Sequence, residues 1–103
     1  LNTLRDADAE RLQLQENIAF AQLLPLLGKA VVPGSPIVPL VFPGNDAAKH
    51  AAMTLQNQGL DVRAILSPTV PAGSERLRII LHSFNTVEEI SLLEQILSDL
   101  AQG

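Results

Sequence analysis

The chain has 103 residues, 47% of them hydrophobic, with a formal net charge of -4 and no cysteine. That is enough for one domain with one core, and too apolar for a disordered tail. Without cysteine there is no disulfide framework, thiolate metal site or thiol nucleophile. The seven basic residues, Arg5, Arg11, Lys29, Lys49, Arg63, Arg76 and Arg78, form no stripe. Their scatter speaks against nucleic acid or an anionic membrane as a partner.

Further exclusions follow from order rather than composition. Two histidines, His50 and His82, are too few for an ordinary zinc site, so no metal is expected. The apolar stretch from Ala19 to Phe42 is broken by four prolines, two glycines and Lys29, so it makes no spanning helix. The polar, charged N-terminus does not read as a signal peptide. With the acidic, cysteine-free composition this points to a cytoplasmic protein. The first residue is Leu rather than Met, which suggests a start inside a longer reading frame.

The first element is a helix from Thr3 to about Leu24, with an outer limit at residue 27. Thr3 and Asp6 have the form of a capping box. Leu4, Ala7, Leu14, Ile18 and Ala21 make a one-sided stripe, widened by Leu12, Phe20, Leu23 and Leu24. Pro25 and Gly28 end it. Residues 29–35 connect to a short strand, Pro36 to Phe42, where Pro39 implies an edge position or a bulge. Asn45 is the expected N-cap of a second helix. Its inner side is Ala48, Ala51, Ala52 and Leu55, and Gly59 is its expected C′ residue. Asp61 to Leu66 reads as a second strand.

A loop of about nine residues follows, Ser67 to Glu75, longer than the usual hairpin range of roughly two to five. Arg76 to Ser83 is the clearest strand, with Leu77, Ile79 and Leu81 alternating against Arg76, Arg78, Ile80 and His82. Thr86 and Glu89 form a second capping box, opening a last helix with the stripe Ile90, Leu93, Ile96, Leu97 and Leu100. The order is helix, strand, helix, strand, strand, helix. This predicts a two-layer α+β sandwich with a small, three-stranded, mostly antiparallel sheet and helices on one face. We expect a single domain over residues 1–103, with its first helix over 3–27 and an α+β unit over 36–102.

Arg76 and Arg78 lie two apart on a strand, so both guanidiniums leave the same face. A guanidinium is always charged and binds carboxylate or phosphate through paired hydrogen bonds, so the two could form an anion site. The plainer alternative is a solvated face, with the arginines paired to Glu75, Asp61 or Glu88. That is the commoner case. The loop offers the Ser67 and Thr69 hydroxyls, or is only a stiff connector. His82 and Ser83 point to opposite faces and make no nucleophilic pair, so His82 reads as a partly buried structural residue. His50 reads as solvated. Lys29 and Lys49 lack the apolar setting that would suit imine chemistry. No glycine-rich phosphate loop is present.

One stretch adds to this. Ser67-Pro-Thr-Val-Pro-Ala-Gly-Ser-Glu-Arg-Leu-Arg-Ile-Ile-Leu-His-Ser-Phe-Asn-Thr86 resembles the C-terminal signature of the α-oxoamine synthases. Ser35-Pro-Ile-Val-Pro-Leu40 and Gly59-Leu-Asp-Val-Arg63 resemble two further strands of that family, in the right order. The resemblance runs from about Ile18 to Leu97. These are fold-type-I, pyridoxal-phosphate (PLP) enzymes that condense an amino acid with an acyl-CoA and release carbon dioxide. The resemblance implies that the chain is the C-terminal small domain of a larger, homodimeric, cytoplasmic enzyme.

The resemblance assigns residues as well. It makes Arg78 the ligand of the substrate α-carboxylate. It gives Arg76 a supporting role and sets Ser67, Thr69 and Val70 near the ligand. It leaves the catalytic lysine and the PLP-binding residues on a large domain outside this chain, so the chain alone is expected to be inactive and to bind no cofactor. The Leu81-His-Ser-Phe-Asn-Thr86 turn leans toward the family branch that serves biotin biosynthesis, with the other branches as alternatives. The rival from another class is a free-standing anion-binding or regulatory α+β domain.

Overall fold

The computed structural model describes the backbone of residues 2–102 and the side chains of residues 8–101. The elements in chain order are α1 (Asn2–Gln22), α2 (Leu27–Ala30), β1 (Ile37–Val41), α3 (Asn45–Asn57), β2 (Val62–Ile65), β3 (Arg76–Ile80) and α4 (Val87–Gln102). β3 lies between β1 and β2, and both pairings are antiparallel. The expected α+β architecture is present, with one short extra helix and a wholly antiparallel sheet. No helix among the described residues is long and apolar enough to cross a membrane.

The two periodicities in the sequence build the core. Val38, Val62, Leu77 and Ile79 point to one side of the sheet and are fully buried. Against them pack Ala48, Ala51, Ala52 and Leu55 of α3, whose small side chains let that helix approach closely. Ile90, Leu93 and Leu97 of α4 fill the rest of that layer, with Ile18, Ala21 and Leu27 from the N-terminal helices. Burying a Leu or Ile of this kind contributes roughly 1.5–3 kcal/mol. On the other side of the sheet Pro39, Val41, Arg63 and Arg78 are exposed, with no helix packed over them among the described residues.

Pro39 sits on an edge strand, as its missing donor requires. Leu81 donates its N–H to the Pro36 carbonyl at 2.8 Å, and Phe42 donates to Glu75 at 2.7 Å. The hydrogen-bonded pairs between β1 and β3 therefore fall on even residues of β1. Pro39, opposite Arg78, turns its nitrogen away from β3 and costs the ladder nothing.

Helix ends follow local chemistry at two of the expected places. Gly59 has φ 83°, and its N–H reaches the Gln56 carbonyl while that of Leu60 reaches Leu55. This is a complete Schellman closure, sealed by buried Leu60. The Thr86–Glu89 capping box is formed, with Thr86 N–H to Glu89 Oε1 at 2.8 Å and Glu89 N–H to Thr86 Oγ1 at 3.1 Å.

Two expectations need correction. α1 ends at Gln22, short of residue 24 or 27. Pro25 has no N–H for the Ala21 carbonyl and disfavours helix at the residue before it. The last turn tightens instead, Leu23 and Leu24 bonding to Phe20 and Ala21. The chain then folds back so closely that a Cβ on Gly28 would collide with the Gln22 carbonyl. Leu12 and Leu23 are not part of a buried stripe, being 65% and 82% exposed. Among the described side chains of α1, Asn17, Ile18 and Ala21 are the buried ones, and the helix packs on α2 and α4. Thr3 and Asp6 of the expected cap, with Leu4 and Ala7, lie outside the described side chains.

Candidate functional site

The open face of the sheet is a small grid set by the strand registers. Across β2, β3 and β1, one row reads Arg63, Arg78, Pro39, and the next reads Ile65, Arg76, Val41. Arg78 stands at the centre of this face and is exposed. Arg76 is half-buried one row away, and its Nε donates to the Ser74 carbonyl at 3.2 Å. Residues 67–74 leave the end of β2 and return at Arg76, so the loop lies at the end of the sheet where the Arg76 row stands.

The carboxylates that a solvated face would use for these arginines are engaged elsewhere. Glu75 is buried. Its Oε1 accepts the Gly44 and Gly73 N–H groups, both at 2.9 Å. These backbone donors, Gly44 first, hold its carboxyl below the usual value of 4.5, against the opposing effect of burial. Asp61 lies 2.9 Å from His82 Nε2. Among the described residues no arginine has an acidic partner within ion-pair distance. His82 is partly buried and stacks on Phe84 with ring centroids 4.7 Å apart, in keeping with a structural role.

Asn45 is a further correction to what the sequence leads one to expect. It is the first residue of α3 and makes no side-chain cap there. Its Oδ1 instead accepts the Ser67 N–H at 3.1 Å and lies 3.3 Å from Ser67 Oγ. The Ser67 hydroxyl also approaches Glu75, and its one proton serves one acceptor at a time. Ser67 is thus tied back into the scaffold, while Thr69 is exposed and Val70 half-buried on the loop. Val70 N–H to the Leu66 carbonyl (3.2 Å) and Ser74 N–H to Pro71 (2.9 Å) shape the turn.

At the opposite end of β3, buried Asn17 of α1 donates to the carbonyls of His82 and Asn85 at 2.9 and 3.0 Å. Asn85 Oδ1 accepts the His82 N–H at 2.7 Å. Both ends of the arginine strand are therefore fixed by buried polar side chains. The sequence reading missed Glu75 and Asn17 in these roles, and did not single out Arg63. The signal for Glu75 was present: positions 75, 77 and 79 share the buried phase of the alternation.

Comparison with known proteins takes these features further. No family model matches the chain. The 8-amino-7-oxononanoate synthase of Serratia proteamaculans (strain 568) is 38% identical over 106 residues, covering 98% of this chain and 27% of the relative. That of Emericella nidulans is 61% identical over a shorter stretch of 46 residues, covering 44% of this chain and 11% of the relative. In fold, the crystal structure of 8-amino-7-oxononanoate synthase from Francisella tularensis matches with TM-score 0.66 and 27% identity, over 88% of this chain and 27% of that one. A serine palmitoyltransferase from S. paucimobilis, solved with PLP bound, shares the fold at TM-score 0.66 and 22% identity, over 93% of this chain and 25% of that one.

The chain spans about a quarter of the length of the curated relatives it matches along its whole extent. The chain is thus similar along nearly its whole length to 8-amino-7-oxononanoate synthases, and its fold matches part of one such enzyme.

Proposed function

We propose that this chain is the substrate-side domain of a PLP-dependent enzyme that joins an amino acid to an acyl-CoA with loss of carbon dioxide. Within that class the reading is an 8-amino-7-oxononanoate synthase, serving biotin biosynthesis. The observation that carries it is Arg78, exposed at the centre of a bare sheet face with no acidic partner among the described residues. It lies in a chain that is 38% identical to such an enzyme over nearly its whole length.

In this reading Arg78 binds the amino-acid carboxylate. Two parallel N–H···O bonds hold the carboxylate in one plane, which fixes how the substrate's breakable bonds stand to the cofactor. PLP supplies the electron sink when bound. The described residues do not fit it: Lys29 and Lys49, the only lysines, are exposed on α2 and α3, outside the arginine face. In this reading the cofactor is held by a large domain beyond this chain. This chain's own part is to orient the substrate and to present the loop around Thr69 and Val70 beside it. Arg76, tied to Ser74, steadies the loop end. The complete enzyme is read as a cytoplasmic homodimer.

The test uses the complete, PLP-loaded polypeptide that carries this chain. Arg78→Ala should lower kcat/KM for the amino acid by about a hundredfold. PLP content should stay at its original level. Unchanged amino-acid kinetics would overturn the assignment.

A further inference from the structure

We propose that Arg63 is a second carboxylate-binding residue, which with Arg78 forms a two-guanidinium clamp on the amino-acid substrate. The inference rests on the reading above and adds a residue to it. Arg63 and Arg78 are direct partners in the register of β2 and β3. Ile80 donates its N–H to the Asp61 carbonyl at 2.9 Å, so the odd residues of β2, Arg63 among them, fall in hydrogen-bonded pairs. Such partners have Cα atoms about 5.5 Å apart and side chains on one face. That face is the uncovered one, and both arginines are exposed.

Two like charges placed directly opposite each other destabilise a sheet. Nothing in the described residues relieves this pair. Asp61, two residues before Arg63 on the same face, is held by His82 at 2.9 Å. Glu75 faces the core side and is occupied by backbone amides. Pro39, on the other flank of Arg78, is short and carries no donor or acceptor in its side chain. An anion on Arg78 therefore lies beside Arg63, its direct cross-strand partner on the same face.

A carboxylate has about four lone-pair sites, enough for two guanidiniums at once. Both arginines stay charged at any working pH. The clamp thus discriminates a carboxylate from an uncharged carboxamide more sharply than Arg78 could alone. It also explains why a pair that costs the isolated sheet something is arranged on its one bare face.

The experiment is calorimetric titration of the complete, PLP-loaded polypeptide with glycine, L-alanine and L-serine, each against its carboxamide. Arg63→Gln should weaken binding of the free amino acids about tenfold, the scale of one charge-assisted hydrogen-bond pair. Carboxamide binding should be unchanged, and Arg63→Lys should recover part of the loss. If Arg78→Gln weakens amino-acid binding but Arg63→Gln does not, the clamp is overturned and the proposed function stands. If neither variant changes it, both fall. Equal weakening of amino acid and carboxamide by Arg63→Gln would also overturn the clamp, since that would be a loss of general structure.

Discussion

The two faces of the same three-stranded sheet are built on opposite principles. On the helix side, Val38, Val62, Leu77 and Ile79 are each no more than 1% exposed. On the other side, one residue along each strand, Arg63, Arg78 and Pro39 stand uncovered. The first face makes the fold and the second leaves charge available. Alternation within β3 alone separates the two tasks, since Leu77 and Arg78 are chain neighbours. Three arginines with no carboxylate partner among the described residues add little to stability, and the proposed ligand site rests on that face.

That contrast is sharpest at the two neighbours. Leu77→Ala removes a fully buried side chain from the core layer. It should cost about 2–5 kcal/mol in urea unfolding. Arg78→Ala, by the same measurement, should fall within about 0.5 kcal/mol of the parent chain. A large loss at Arg78 would mean that the bare face supports the fold after all.

Glu75 is the hinge between the faces: buried itself, it holds the loop that leads into the arginine strand. Its carboxyl is kept below the ordinary 4.5, mainly by the Gly44 N–H. A lowered folded pKa means that ionised Glu75 stabilises the fold fully above the unfolded value, and that this contribution is lost as pH falls through the folded value. Glu75→Gln keeps an acceptor for the two amides but removes the charge. The variant should be less stable than the parent at pH 7. The gap should close as pH drops below 4.5. A gap that stays constant with pH would show that shape, not charge, holds the loop.

Much of this was legible in the sequence, where local chemistry decides the outcome. Gly59 closes α3 because a positive φ is needed there, and Thr86 with Glu89 opens α4 by reciprocal bonds. The alternation from Arg76 to Ile80 gave the buried and open faces together. What stayed hidden depends on distant partners. Periodicity marks the apolar side of a helix but not how much of its length finds a neighbour, so Leu12 was misassigned. Asn45 looked like a cap until Ser67, 22 residues on, proved to be its partner. At the site, the same-face placement of Arg76 and Arg78 was readable from their spacing. The opposition of Arg63 and Arg78 was not, because it requires the register of β2 on β3.

The smallest expected effect tests whether the bare face is bare in the folded chain. Val41 ends β1 on that face and is 56% exposed, with Arg76 as its cross-strand partner. Val41→Thr keeps the β-branched shape and strand preference while replacing a methyl with a hydroxyl. On a solvated face the hydroxyl is bound by water, and stability should change by no more than about 0.5 kcal/mol. In a packed interior the same swap would bury an unpaired hydroxyl and cost about 1–3 kcal/mol. Unfolding of Val41→Thr at two protein concentrations separates the cases. A small, concentration-independent change fits an open face awaiting a ligand. A large loss that grows on dilution would mean that a second copy covers the arginines, leaving them to hold a protein surface rather than a substrate.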